Sequence, residues 1–240
     1  MSGFTDIHAH FIHNLDDGAQ SLEMTREMLE KAYQDGVRTL FATPHVIPGV
    51  RPFDVESYRQ RLEDARSWCA AQGYELTLHE GAEIMYTPVL LHYIRDRQLP
   101  TLAASAHVLL EFVPTISCAE MTNAITQLNR YGYRPILAHV ERYDCLYRFR
   151  NAFRLRKECD VQFQMNCGYL LEGQGFFREN CTESWLEHGL IDYIASDAHD
   201  TYGRTTHMRS AYTQLRYQFG KAYADRLMKS EWSGDGISQL

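Results

Sequence analysis

The sequence predicts an α/β fold built on a parallel sheet. Three observations carry that expectation. Seven short runs rich in apolar and β-branched residues recur along the chain, longer helical patterns separate them, and the two alternate strictly. Parallel neighbours need a crossover connection, and a helix between consecutive strands supplies one. The alternation alone leaves open whether the sheet closes into a barrel or stays open and doubly wound. In a barrel, the chemistry would sit at the C-terminal ends of the strands.

Taken in order, the first strand, Thr5–His10, ends in Asp6-Ile7-His8-Ala9-His10. Side chains alternate along a strand, so His8 and His10 share one face and can act as a metal pincer. The helix Leu22–Asp35 follows, with Ser21 as its N-cap and Gly36 as its stop, and with Met24, Met28, Leu29 and Ala32 on one face. The second strand, Arg38–Thr43, leads into Pro44-His45 and the helix Val55–Ala71. The third, Glu75–Ile84, carries Glu83 at its end and precedes a helix over Thr87–Arg95. The fourth, His107–Val113, holds Glu111 inside an apolar run and leads to the helix Ala119–Tyr131. A carboxylate placed there is costly unless it is paired or binds a metal. The fifth, Arg134–His139, ends in His139, with Glu141, Arg142 and Asp144 just beyond, and a helix is expected over Cys145–Glu158. The sixth, Val161–Asn166, ends in Gln164-Met165-Asn166 before the helix Phe177–His188. The seventh, Ile191–Ser196, runs into Asp197-Ala198-His199 and a last helix over Thr205–Lys229. The final ten residues read as weakly ordered.

Nearly every strand thus delivers a His, Asp or Glu at its C-terminal end. Carboxylates crowded among imidazoles would repel or protonate, and cations between them resolve the conflict. The remaining histidines read as ordinary: His79, His92 and His188 as surface residues, His107 as a strand start, and His13 as unassigned.

The bulk properties agree with a metal-dependent enzyme. The 240 residues suit one domain spanning 1–240, and a hydrophobic share of 45% is enough for a sizeable core. A net charge of −7 with no basic run gives no footprint for nucleic acid. No cationic, apolar leader and no apolar run long enough for a bilayer are found, so a cytoplasmic chain without membrane insertion is expected. The six cysteines are scattered without a Cys-x-x-Cys pair and read as free thiols. A Cys-x5-Arg loop, a P-loop and a Gly-x-Ser-x-Gly elbow are absent, and the stretch Gly173 to Arg178 does not complete a dinucleotide fingerprint.

The ordered set Asp6-Ile7-His8-Ala9-His10, Asp16-Asp17-Gly18, Ala42-Thr43-Pro44-His45, Gly81-Ala82-Glu83-Ile84, Leu110-Glu111-Phe112, Ala138-His139-Val140-Glu141-Arg142-Tyr143, Gln164-Met165-Asn166 and Ala195-Ser196-Asp197-Ala198-His199 resembles the PHP superfamily (polymerase and histidinol phosphatase). Within it, the chain is most similar to the bacterial protein-tyrosine phosphatases of capsular and exopolysaccharide synthesis. The resemblance implies a distorted (β/α)7 barrel holding three divalent metal ions, manganese foremost, with iron or zinc as alternatives. It implies that His8, His10, Glu83 and Asp197 hold one ion, that Glu83, Glu111 and His139 hold a second, and that Asp17, His45 and His199 hold a third. Arg142 and Arg204 stand where the family places two arginines that clamp phosphate. The implied substrate is a phosphotyrosyl protein, the tail of a bacterial tyrosine kinase, and a homo-oligomer through the first helix is a further implication. Val140 stands where the family has proline, and Met85-Tyr86 follows Glu83-Ile84 where an arginine is usual.

Phosphomonoester hydrolysis suits this inventory. Divalent cations make hydroxide available near neutral pH, and arginine forks bind phosphate oxygens bidentately. Asp144, His13 and His207 are unassigned candidates for a general acid. A phosphatase of a small metabolite such as histidinol phosphate, and a metal-stabilised binding scaffold without turnover, are the rival readings. An amidohydrolase is a weaker rival, because no strand end carries the lysine it would use.

Overall fold

The structure, a computed structural model, describes residues 3–95, 100–148, 150–172, 176–229 and 232. The stretch read as weakly ordered lies outside the described residues except for Trp232, and so do residues 173–175 of the glycine-rich stretch.

The strands pair in parallel throughout. β1 (Phe4–Ala9), β2 (Val37–Ala42) and β4 (Thr77–Glu80) lie side by side. A second set runs in the order β3 (His45–Val46), β5 (Glu83–Met85), β6 (His107–Glu111), β7 (Arg134–Leu137), β8 (Gln162–Asn166) and β9 (Tyr193–Ala195). β3 continues the path of β2 after a break at Thr43-Pro44, and β5 continues β4 after a break at Gly81-Ala82. β9 returns to β1: His10 N donates to the Ala198 carbonyl at 2.8 Å, and Asp197 N donates to the His8 carbonyl at 2.9 Å. The seven strand positions read from the sequence therefore form a ring.

The two breaks leave backbone groups that must find partners. Tyr58, fully buried on the helix α2 (Val55–Ala71), provides them. Its hydroxyl lies 2.9 Å from the carbonyls of both Ala42 and Gly81 and accepts from Gly81 N at 3.0 Å. Pro44 cannot donate to a ladder, which accounts for the first break.

The helices cover the ring. α1 (Leu22–Asp35) starts where expected, with Ser21 Oγ accepting from Met24 N, and stops at Gly36, whose φ of 100° is left-handed. The other helices are α3 (Leu90–Arg95), α4 (Cys118–Arg130), α5 (Asn151–Glu158), α6 (Cys167–Leu171), α7 (Phe176–Glu187), α8 (Met208–Phe219) and α9 (Lys221–Met228). Three expectations are corrected. The strand over 75–84 is two strands. The helix expected from Cys145 begins at Asn151, because residues 144–147 form a 3-10 turn and Arg150 is left-handed at φ 58°. The last helix begins only at Met208 and breaks at Gly220, whose φ is 87°.

Most of the core lies between sheet and helices. A second cluster gathers Ile7, Phe41, Leu109, Ile136 and Ala195, from five different strands, around Leu102. Side chains from so many strands meet only inside a closed ring. Trp232 packs against Phe41, with ring centres 4.9 Å apart. His107 does begin β6 and is buried, whereas His79 is half-buried against Phe41 rather than on the surface.

Candidate metal centre

At the C-terminal ends of the strands the imidazoles and carboxylates meet. His8 Nε2 lies 3.1 Å from His10 Nε2, 3.3 Å from Glu83 Oε2 and 3.4 Å from Asp197 Oδ1. His139 Nε2 lies 2.8 Å from Glu83 Oε1 and 3.4 Å from Glu111 Oε1. His45 reaches Glu83 Oε2 with Nδ1 at 3.0 Å and Asp17 Oδ1 with Nε2 at 3.4 Å. His199 Nε2 lies 3.5 Å from the same Asp17 oxygen. All nine residues named from the sequence as ligands thus come together. Eight of them group as His8, His10 and Asp197; as His45, Glu83 and Glu111; and as His10, Asp17, His45 and His199, while His139, expected beside Glu83 and Glu111, lies outside these groups but within reach of both carboxylates. His10 and His45 each belong to two groups, so the three sets implied above share members in space.

This donor set suits divalent cations. Glu83 Oε2, Glu111 Oε2, Asp197 Oδ1 and His199 Nε2 are buried without a hydrogen-bond partner among the described residues. Unsatisfied buried polar atoms are costly. Ligands about 2.1 Å from a common cation lie roughly 3.0–3.4 Å from one another, the spacing seen here.

Around the donors is a set of orienting contacts that the sequence motifs contained without revealing their roles. Asp16 Oδ2 lies 2.7 Å from His10 Nδ1 and accepts from His45 N at 2.9 Å. Gln164 Oε1 lies 3.1 Å from His8 Nδ1 and accepts from His139 N at 2.8 Å. Its amide donates to Asn166 Oδ1 at 2.7 Å, and Asn166 donates to Asp197 Oδ2 at 2.8 Å. Asp6 Oδ1 accepts from His8 N and Ser196 N, tying β1 to the end of β9. Such partners fix tautomer and ring orientation. His199 Nδ1 lies 2.9 Å from the Asp197 carbonyl, which directs Nε2 into the cluster.

The charges are strongly coupled. Burial alone would depress His10, but its hydrogen bond to Asp16 and the nearby Glu83 carboxylate push it up to about 10. Burial would likewise depress His139, but the carboxylates Glu111 and Glu83 outweigh it and push His139 up to about 9. Burial would raise Glu83, yet the His8 charge and the close imidazoles of His10, His139 and His45 hold it well below the usual carboxylate range. His199 is pushed down to about 4 by burial and by the neighbouring His10 charge. Without cations, protons hold these carboxylates together, so protons and metals compete for one set of atoms.

Arg142 and Arg204 come from two different loops onto one atom. Arg142 Nη2 lies 2.6 Å and Arg204 Nη2 3.0 Å from Asp197 Oδ2. Both line a cleft of about 570 Å³ with Pro114, Asn166, Tyr169 and His207. His13 lies apart, with Nδ1 3.3 Å from Thr25 Oγ1. Asp144 is engaged by Arg178 at 2.7 Å. His207 stays on the cleft wall.

The profile of the family described as capsular polysaccharide synthesis, CpsB/CapC, matches residues 4–232. The tyrosine-protein phosphatase CpsB of Streptococcus pneumoniae is 29% identical over 229 residues, covering 92% of this chain and 93% of its own. A crystal structure described for YwqE of Bacillus subtilis and CpsB of Streptococcus pneumoniae, metal-dependent tyrosine phosphatases, superposes with a TM-score of 0.83 at 24% identity, over 98% of this chain and 100% of the other. The histidinol phosphate phosphatase of Lactococcus lactis, crystallised with zinc, histidinol and phosphate, gives a TM-score of 0.60 at 14% identity over 98% of this chain and 99% of its own, a likeness of fold.

Proposed function

The chain belongs to the CpsB/CapC family of capsular polysaccharide synthesis, and from that premise we propose that it is a metal-dependent phosphatase acting on phosphotyrosyl proteins. The observation that carries this reading is the meeting of two half-exposed arginines on the carboxylate of Asp197, beside a buried set of imidazoles and carboxylates with orphaned atoms. The relative in Streptococcus pneumoniae bears the name tyrosine-protein phosphatase.

His8, His10, Glu83 and Asp197, then Glu83, Glu111 and His139, then Asp17, His45 and His199, are proposed to hold three divalent ions, manganese by preference. When bound, such ions supply a hydroxide nucleophile near neutral pH and neutralise phosphate charge. Arg142 and Arg204 bind the nonbridging phosphate oxygens and orient phosphorus, because their forks leave Asp197 for a more highly charged partner. Gln164, Asn166 and Asp16 keep the imidazoles and Asp197 in place through the contacts described above. Pro114 and Tyr169 line the same cleft as the arginines and are proposed to receive the phenolic ring. A phenolate is a good enough leaving group that none of the unassigned acids need protonate it.

The proposed substrate is the phosphorylated tail of a tyrosine kinase of polysaccharide synthesis, met in the cytoplasm by one domain spanning residues 1–240. No described helix is long and apolar enough to cross a membrane. A homo-oligomer through α1 belongs to the same proposal. The rival reading, a small-metabolite phosphatase, draws only on the fold shared with histidinol phosphate phosphatase. A manganese-dependent assay of a phosphotyrosyl peptide, histidinol phosphate and a phosphodiester separates them. Preference for the peptide is expected. Preference for histidinol phosphate would replace the proposal, and phosphate release from none would leave a binding scaffold.

A further inference from the structure

A third guanidinium faces the cleft. Arg178, on α7, lines it together with Arg142 and Arg204. Its Nη2 donates to Asp144 Oδ1 at 2.7 Å, and its Nη1 donates to the Glu141 carbonyl at 3.4 Å. Its guanidinium carbon lies 4.8 Å from the centre of the Tyr147 ring. All three partners belong to the segment that carries Arg142. Glu141 precedes that arginine, while Asp144 and Tyr147 follow it. The Glu141 carbonyl also accepts from the Tyr147 hydroxyl at 2.8 Å. Arg142 itself closes a single 3-10 turn, Val140–Arg142, which is too short for an internal ladder to fix it. Contacts to its sequence neighbours therefore set where its backbone lies.

The charges add a second consequence. Asp144 is two residues from Arg142, lines the same cleft and is more than half exposed. A free carboxylate there would compete with phosphate for the Arg142 fork, since both are bidentate acceptors for arginine. Arg178 occupies that carboxylate. An ion-paired carboxylate is an acceptor, which assigns Asp144 to Arg178 rather than to protonating a leaving group.

We infer that Arg178 is a positioning residue for the phosphate clamp: it braces residues 141–147 and sequesters Asp144, which leaves Arg142 open to the substrate. This rests on the phosphatase reading of Arg142. It predicts an unusual mutational pattern, in which removing a second residue restores what the first removal lost.

The test uses the manganese-loaded full chain and three readouts: affinity for inorganic phosphate by calorimetry, kcat and KM for a phosphotyrosyl peptide, and manganese stoichiometry. Arg178→Ala is expected to weaken phosphate binding about tenfold and to raise KM in parallel, roughly what one misplaced charge-assisted contact is worth. Metal content should stay at the wild-type level. Adding Asp144→Ala should recover most of the lost phosphate affinity, because the competing carboxylate is gone. Arg178→Lys, which keeps the charge and loses the fork, should fall between, and it carries the comparison if the alanine variant does not fold. Unchanged phosphate affinity in both Arg178 variants overturns the inference. So does loss of manganese in step with affinity, or a double variant no better than the single one. The underlying reading fails separately: wild-type protein that binds phosphate but releases none from the peptide is no tyrosine phosphatase, and the phosphate-affinity series still decides the role of Arg178.

Discussion

His139 and Asp197 both hold the backbone in the left-handed region, at φ 33° and 52°. A residue other than glycine placed there costs on the order of 1–3 kcal/mol, and such strain concentrates at functional sites. Here it lets the chain turn sharply at a strand end while the side chain stays aimed into the cluster. His8→Ala, Glu83→Ala and His139→Ala are each expected to abolish phosphate release, whereas His79→Ala and His92→Ala keep it. A wild-type rate in any of the first three would remove that residue from the ligand set. The two arginines should separate from the ligands. Arg142→Ala and Arg204→Ala should retain metal and lose roughly 10²–10³ in kcat/KM, the effect of one clamp worth about 2.7–4 kcal/mol in the transition state. Lysine at either position should recover only part, since it lacks the fork. Metal lost along with activity would make these arginines structural. The chain reveals most of the donor residues because they stand at or just beyond the ends of apolar runs, whereas Asp17, in a loop, is named only by the family resemblance. It does not reveal that Gln164 links His8, His139 and, through Asn166, Asp197, because a glutamine in a strand carries no pattern of its own.

At the scale of elements, two strands are bent where ligands must be aimed. The breaks at Thr43-Pro44 and Gly81-Ala82 immediately precede His45 and Glu83. Tyr58 of α2 satisfies the backbone atoms that both breaks free. Tyr58→Phe would leave buried carbonyls and an amide without partners, at a cost of about 1–3 kcal/mol. Chemical denaturation of the metal-loaded protein measures this, and an unchanged midpoint would show that water takes over the hydroxyl's role. Pro44 announces the first break in the sequence. The second is hidden, since the run 75–84 reads as one strand until a hydroxyl from a helix some twenty residues away is placed against it.

For the molecule as a whole, closure of the ring brings β1 against β9, and so His8 and His10 against Asp197 and His199. The charge cluster this creates makes stability depend on pH in opposite ways with and without metal. His10 and His139, raised to about 10 and about 9, contribute stability in the chelated protein that is complete below about pH 6.5 and lost as pH climbs through those values. Glu83, and Asp16 lowered to about 2, contribute above about pH 4 and fade in acid. The chelated protein should therefore be most stable at about pH 5–6.5. Metal must displace the same protons, so the rise in Tm on adding manganese should be small at pH 5.5 and grow towards pH 8.5. A rise independent of pH would show that these imidazoles are not the ligands. The β/α alternation, the seven strand positions and most of the residues at their ends are legible in the chain alone, because periodicity and turn chemistry are local. That the strands form a ring, that His10 and His45 are shared between donor groups, that Asp16 orients while Asp17 faces the open side, and that Arg178 holds Asp144 emerges only from the folded chain. Those facts join residues from 29 to more than 180 positions apart, and contacts at such separation are set by packing and charge, which no local pattern records.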